Sequence, residues 1–135
     1  MIVDASALVA VIRSETDAQR FATALETAST SRMSAANYLE AAIVIDGSRN
    51  ATLSRRLDDV VADAAIQIEP VTERQARIAR EAYRDYGKGS GHPAGLNFGD
   101  CFAYALARDL GEPLLYKGTD FAETDIKSAL DGTPE

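Results

Sequence analysis

Four acidic residues, Asp4, Glu40, Asp100 and Asp120, are far apart in the chain, yet each stands where a solvated surface carboxylate is not the obvious use. Asp4 ends the hydrophobic run Met1-Ile2-Val3, and Asp120 follows Leu114-Leu115-Tyr116 through Lys117-Gly118-Thr119. Glu40 interrupts an otherwise uncharged stretch from 35 to 45, and Asp100 lies in the first turn of an apolar segment opening at Phe98. Brought together, the four form an all-oxygen ligand set. Such a set suits Mg²⁺ or Mn²⁺, as one ion with several waters or as two ions about 3.5 to 4 Å apart, and the phosphoryl chemistry these ions support. A Lys or His base is not required. Ser6, Asn97 and Thr119 stand near the acids as donors able to orient carboxylates or water.

Each acid also has a local use. Asp4 serves equally as the N-cap of a helix opening at Ala5, and Asp120 as a turn residue before Phe121. Ser6, Asn97 and Thr119 have turn and cap hydrogen bonds as their local alternative. Asp100 occupies the third helical position after Asn97, where the helix dipole and a reciprocal cap both favour an acid, and where capping is compatible with ligation. Glu40 is hardest to explain locally. Its helical neighbours Ala36, Asn37, Ile43 and Val44 carry no charge, and a carboxylate among them is costly to bury unless paired or bound to a cation. Solvent exposure is the alternative.

The elements that must position these residues follow from periodicity and caps. Residues 4 to 12 turn from strand to helix without Gly or Pro, and Ser14-Glu15-Thr16-Asp17 resembles a capping box opening a second helix with Ala18, Phe21, Ala22, Leu25 and Ala28 on its apolar face. An extended piece at 31 to 33 precedes a helix from Ala35 to Asp46, capped by Ser34 and stopped by Gly47. A further helix spans 51 to 64. Residues 66 to 71 alternate as a half-buried strand, near a sheet edge because of Pro70. Thr72 to Gln75 is a second capping-box pattern, starting an Arg-rich helix that ends at Gly87. Asn97 caps a helix from Phe98 to Leu110, closed by Gly111, and Pro113 introduces a final buried strand. Alternating strands and helices predict an α/β fold with a mainly parallel sheet in one domain, 1–135, with residues 130–135 as a frayed tail.

Composition narrows the function classes. At 46% hydrophobic and 26% charged residues the chain is an ordinary soluble globular protein, and no window approaches the roughly 18 apolar residues of a membrane span. No secretory signal is evident at the N-terminus, so a cytoplasmic location is expected. A net charge of −7 argues against sequence-independent capture of nucleic acid by a basic surface, but bound divalent ions would neutralise an acidic cage and so leave a nuclease open. Arg74, Arg77, Arg80 and Arg84 read as a solvated helix face paired with Glu73, Glu81 and Asp85, with RNA or partner contact as the alternative. Cys101 reads as a buried core residue, because the only His, His92, lies in the glycine-rich loop 87–95. That loop lacks the spacing of a phosphate-binding P-loop, and no strand leads into it.

With these pieces in order, the chain resembles the PIN-domain ribonucleases, and among them the VapC toxins of bacterial toxin–antitoxin operons. The resemblance is carried by Ile2-Val3-Asp4-Ala5-Ser6-Ala7, by Met33-Ser34-Ala35-Ala36-Asn37-Tyr38-Leu39-Glu40-Ala41, by Leu96-Asn97-Phe98-Gly99-Asp100-Cys101, and by Leu114-Leu115-Tyr116-Lys117-Gly118-Thr119-Asp120-Phe121. It implies a three-layer α/β/α fold and Mg²⁺- or Mn²⁺-dependent endonucleolytic cleavage of RNA, leaving a 5′-phosphate and a 3′-hydroxyl. By position, Asp4, Glu40, Asp100 and Asp120 match the family's acidic cage, and Ser6 and Thr119 its supporting polar positions. Glu123 and Asp125 follow Asp120 closely enough to share its role. The resemblance also implies a homodimer, a VapB-like antitoxin whose C-terminal segment lies across the groove, and a loop 87–95 that shapes the RNA entrance. Two other functions compete: a non-catalytic PIN-like binding module, and a phosphoacceptor receiver domain. The receiver usually carries paired acids after its first strand and a Lys before a Pro after its last, whereas Asp4 stands alone and Lys117 precedes Gly118.

Overall fold

Four short strands run parallel in one sheet, in the spatial order Ile66–Glu69, Ser31–Ser34, Ile2–Val3 and Leu114–Leu115. The computed structural model describes residues 1–131, so most of the expected C-terminal tail lies outside the described residues. The strands are β1 (Ile2–Val3), β2 (Ser31–Ser34), β3 (Ile66–Glu69) and β4 (Leu114–Leu115). Between and after them lie α1 (Ala5–Ile12), α2 (Ala18–Thr27), α3 (Ala35–Gly47), α4 (Ala51–Asp63), α5 (Glu73–Tyr86) and α6 (Phe98–Leu110), and a 3₁₀ turn spans Phe121–Glu123.

Strand alternation splits the core in two. Val3, Met33 and Leu115 pack on α1 to α4, while Ile2 and Leu114 pack on α5 and α6. The register pairs Ile2 with Leu114 and Val3 with Leu115, so side chains facing the same layer lie side by side. Both faces of the central strands are therefore covered, which gives the expected three-layer α/β/α architecture and explains why β1 and β4 read as continuous apolar runs while the edge strand β3 alternates. Because β2 and β3 extend to one side of β1 and β4 to the other, the strand order reverses at β1. A crevice opens beyond the carboxyl ends of β1 and β4 at that reversal, where ligands gather in open parallel sheets.

Most element boundaries agree with the sequence reading to within two residues, and β3 is an edge strand as expected. Two capping patterns do not form as read. Ser14 adopts φ 53° and reverses the chain, and α2 starts from Asp17 without a side-chain cap. Its would-be capping acids are spent elsewhere, since Glu15 and Asp17 both pair with Lys117. At α5 only half of the box is present: Thr72 Oγ1 accepts from the Gln75 N–H at 3.1 Å, while the Gln75 amide donates to Asp109 at 3.2 Å. On the Arg-rich face Arg77 pairs with Glu73 and Arg84 with Asp85, but Arg74 reaches across to Asp109 of α6 at 2.6 Å. Cys101 is buried, and burial pushes its thiol up to about 11, with Asp100 adding to the shift. His92 meets Tyr86 edge-on and accepts from the Ala94 N–H, a structural role. Among the described residues no helix is long and apolar enough to cross a membrane.

Candidate active site

Asp4 follows β1 directly, and its backbone N–H still donates to the Leu115 carbonyl of β4 at 2.9 Å. That ladder bond fixes the carboxylate at the reversal point of the sheet. The same side chain caps α1: Oδ2 accepts from the Ser6 N–H at 3.0 Å and from Ser6 Oγ at 2.5 Å. Capping therefore leaves Asp4 available to the cleft, because Oδ2 takes both bonds and Oδ1 has no protein donor among the described residues. Ser6 Oγ in turn accepts from the Lys117 N–H at 2.9 Å, which ties the segment after β4 to the start of α1.

Asp100 is held by the predicted reciprocal cap. Its N–H donates to Asn97 Oδ1 at 2.9 Å, and its Oδ2 accepts from the Asn97 N–H at 3.0 Å. Glu40 lies in the second turn of α3, where Asn37 Nδ2 donates to its Oε1 at 3.2 Å and to the Gly99 carbonyl at 2.9 Å. One buried amide therefore links α3 to the first turn of α6. Gly99 makes the approach possible, since a Cβ there would fall 2.1 Å from Glu40 Oε2. Asp120 is exposed, at the start of the 3₁₀ turn after β4.

These segments converge on one cleft of about 380 Å³ lined by Asp4, Ser6, Glu40, Asn97, Asp100 and Asp120, together with Glu15 and Lys117. Thr119 is not among its lining residues. Asp125 is engaged elsewhere, accepting from Tyr104 Oη at 2.7 Å and pairing with Arg108, and Glu123 is exposed outside the cleft.

The electrostatics reflect uncompensated crowding. Asp4 is 4% exposed, and burial raises its carboxyl to about 7 against the lowering effect of the Ser6 bonds, with Asp100 and Glu40 adding to the rise. Burial likewise raises Asp100 to about 6, opposed by the Asn97 cap and reinforced by Asp120 and Glu40. Among the described residues no three His, Cys, Asp or Glu side chains gather into a ready-made ion cage; the four acids border the cleft without meeting at a point. The donor set itself, all oxygen, partly desolvated and mutually repelling, fits a hard divalent cation, which would relieve the repulsion.

Several participants were not legible beforehand. Asn37 is fully buried, and its Oδ1 has no partner among the described residues. Its only sequence signal is its place three residues before Glu40. Gly99, Glu15 and Lys117 act through contacts that spacing along the chain does not reveal.

A family model for the PIN domain matches residues 1–127. VapC ribonuclease Mb0625 of Mycobacterium bovis and ribonuclease VapC28 of Mycobacterium tuberculosis are each 58% identical over 131 residues, covering 97% of this chain and 98% of theirs. Ribonuclease VapC42 of Mycobacterium tuberculosis is 51% identical over 129 residues, covering 96% and 98%. In three dimensions the fold is similar to the crystal structure of Mycobacterium tuberculosis VapC20, a Sarcin-Ricin loop cleaving toxin, with a TM-score of 0.74 over 93% of this chain and 95% of that one at 13% identity. Sequence relatives across nearly the whole chain set the receiver-domain reading aside, and the chain belongs to the PIN-domain family, among its VapC ribonucleases.

Proposed function

We propose that the chain is the toxin of a VapBC-type pair, an endoribonuclease that hydrolyses RNA phosphodiester bonds with Mg²⁺ or Mn²⁺ held by Asp4, Glu40, Asp100 and Asp120. The observation that carries this reading is the convergence of four carboxylates, from four separate segments, on one cleft at the reversal point of a parallel sheet. Bound there, divalent ions would supply the Lewis acidity that activates water and offsets charge on the leaving oxygen. The chain's own residues have simpler tasks. Ser6 orients Asp4 so that one carboxylate oxygen remains free for the cleft, and the Asn97 cap does the same for Asp100. Asn37 fixes the carboxylate of Glu40 against the α6 backbone. Thr119 supports Asp120 through the turn it begins, its carbonyl accepting from the Ala122 N–H.

In the same reading the protein acts in the cytoplasm, a VapB-like antitoxin restrains it by covering the cleft, and two copies pair. Support for pairing comes from large apolar side chains left exposed beside the site, among them Leu39 and Ile43 on α3 and Phe98 on α6. Cleavage of structured RNAs, resolved on denaturing gels, tests the catalytic reading. Strand scission is expected with Mg²⁺ or Mn²⁺, lost in EDTA and reduced at least about a hundredfold by Asp4→Asn or Asp100→Asn. Activity that survives either substitution or the chelator would overturn it, and metal binding without turnover would leave a binding module.

A further inference from the structure

We propose that Lys117 grips the RNA backbone at the mouth of the cleft, and that Glu15 and Asp17 hold its ammonium in reserve until a phosphate displaces them. The proposal rests on the ribonuclease reading and adds to it a substrate-contacting residue outside the acidic set. Among the residues that line the cleft are five carboxylates, those of Asp4, Glu15, Glu40, Asp100 and Asp120, and a single cation, Lys117. Divalent ions would compensate the central acids. They leave the phosphates flanking the scissile one facing an acidic rim, and Lys117 is the one lining group able to offset that repulsion.

Its placement is suited to the task. The Lys117 backbone is pinned, because its N–H donates to Ser6 Oγ at 2.9 Å and Ser6 Oγ donates to Asp4 Oδ2 at 2.5 Å. Two hydrogen bonds thus set the distance between this lysine and a ligand carboxylate. The ammonium, by contrast, sits on a flexible four-carbon stem with three donors, and the side chain is 39% exposed. It pairs with Glu15, and with Asp17 Oδ1 at 3.2 Å. The Glu15 side chain is itself partly exposed, so that pair is weak and exchangeable, while Asp17 Oδ1 is buried and takes no hydrogen bond, contributing charge alone; a phosphate offering a charge-assisted bond can compete for the ammonium. The competing view makes Lys117 a clamp that joins the segment after β4 to the turn between α1 and α2 and never meets RNA.

Binding of a labelled, mixed-sequence single-stranded RNA, followed by fluorescence anisotropy across a salt series in Mg²⁺, separates the two. All proteins carry Asp100→Asn to keep the RNA whole. Lys117→Gln is expected to weaken binding roughly fivefold to tenfold and to make the dependence of log affinity on log salt shallower by about 0.7, the loss of one single-strand phosphate contact. Lys117→Arg keeps the slope. Glu15→Gln tightens binding about threefold while Lys117 is present and has little effect beside Lys117→Gln, because the acid acts through the lysine. Unchanged affinity and slope in Lys117→Gln would overturn the proposal, as would equal tightening by Glu15→Gln in both backgrounds, which reports only removal of a negative charge. If Lys117→Gln does not fold, acylation of the Asp100→Asn chain with Lys117 intact, read by mass spectrometry, decides the matter: RNA must slow modification of Lys117 relative to the exposed Lys127, and equal rates sink the idea. A wild-type chain that neither binds nor cuts RNA fails the ribonuclease reading itself, whereas binding that is indifferent to Lys117 fails this inference alone.

Discussion

At the scale of single residues, Asp4 carries a conflict between stability and function. In the folded chain its carboxyl is raised from the ordinary 3.8 to about 7 by burial, so between these values the folded state holds a proton that the unfolded chain has released. Stability therefore falls as pH rises from about 4 to about 7, and the full cost is present above that range. Asp4→Asn removes the cost and retains an acceptor for Ser6. In EDTA at neutral pH it is expected to raise the unfolding midpoint and flatten its dependence on pH across this window, while in Mg²⁺ it reduces cleavage at least about a hundredfold; each kcal/mol relieved is worth about 3 to 5 °C at this chain length. Calorimetry from pH 4 to 8 reads it, and a lowered midpoint with unchanged slope would contradict the assignment. Gly99 makes the opposite case, a residue without functional atoms on which the site depends. The three atoms nearest a Cβ there all belong to the carboxylate end of the Glu40 side chain, so Gly99→Ala should still fold, at the loss of the Asn37 bond to Glu40, while pushing that carboxylate aside and lowering cleavage roughly tenfold to a hundredfold. The caps at Asp4 and Asp100 and their place at the cleft were legible in the sequence, because local capping rules apply at both positions and both lie at the ends of apolar elements. Asn37, Gly99 and Lys117 were not, since the Asn37 bond to Gly99 and the Lys117 bond to Ser6 join residues 62 and 111 positions apart.

At the scale of elements, caps decide how firmly each acid is presented. Asn50 and Asn97 both cap helices with a side-chain oxygen, Asn50 accepting from the Thr52 and Leu53 N–H groups at the start of α4 and Asn97 from Asp100 at the start of α6. Replacing either by Ala should cost about 1 kcal/mol, a fall of about 3 to 5 °C. Only Asn97→Ala should also reduce cleavage, because only that cap holds a carboxylate of the cleft. Equal activity in the two variants, measured at matched fractions folded, would show that the Asn97 cap is purely structural. The same comparison explains why the helices were largely readable and the turn at Ser14 was not. Helical periodicity and caps are properties of a few consecutive residues, and they gave α3, α4, α5 and α6 to within two residues. Ser14 to Asp17 has the local pattern of a cap, but Ser14 takes φ 53° at the chain reversal and its acids face Lys117 from the far end of the chain, a tertiary arrangement that local pattern does not encode.

At the scale of the whole molecule, charge and exposed apolar surface pull in opposite directions. Two copies each carrying −7 repel, yet Leu39 at 58% exposure, Ile43 at 63% and Phe98 at 79% leave apolar area beside the cleft. Leu39 and Ile43 share one face of α3 at helical spacing, and Phe98 immediately precedes the glycine that abuts Glu40 on that helix. Such a cluster on a monomer is characteristically a contact surface, and a stable pair needs about 800 Å² from each partner. If apolar burial drives pairing against like charge, the dimer should weaken as salt is lowered, because the screening length grows from about 8 Å at physiological ionic strength to about 30 Å at 0.01 M. Added Mg²⁺ should strengthen it by neutralising the cleft. Ile43→Asp should yield a folded monomer in light scattering coupled to size exclusion, with its circular dichroism unchanged. A wild-type chain that is monomeric at tens of micromolar in Mg²⁺ would refute pairing, and a dimer that tightens at low salt would show that charge complementarity, not the α3 face, holds the copies together.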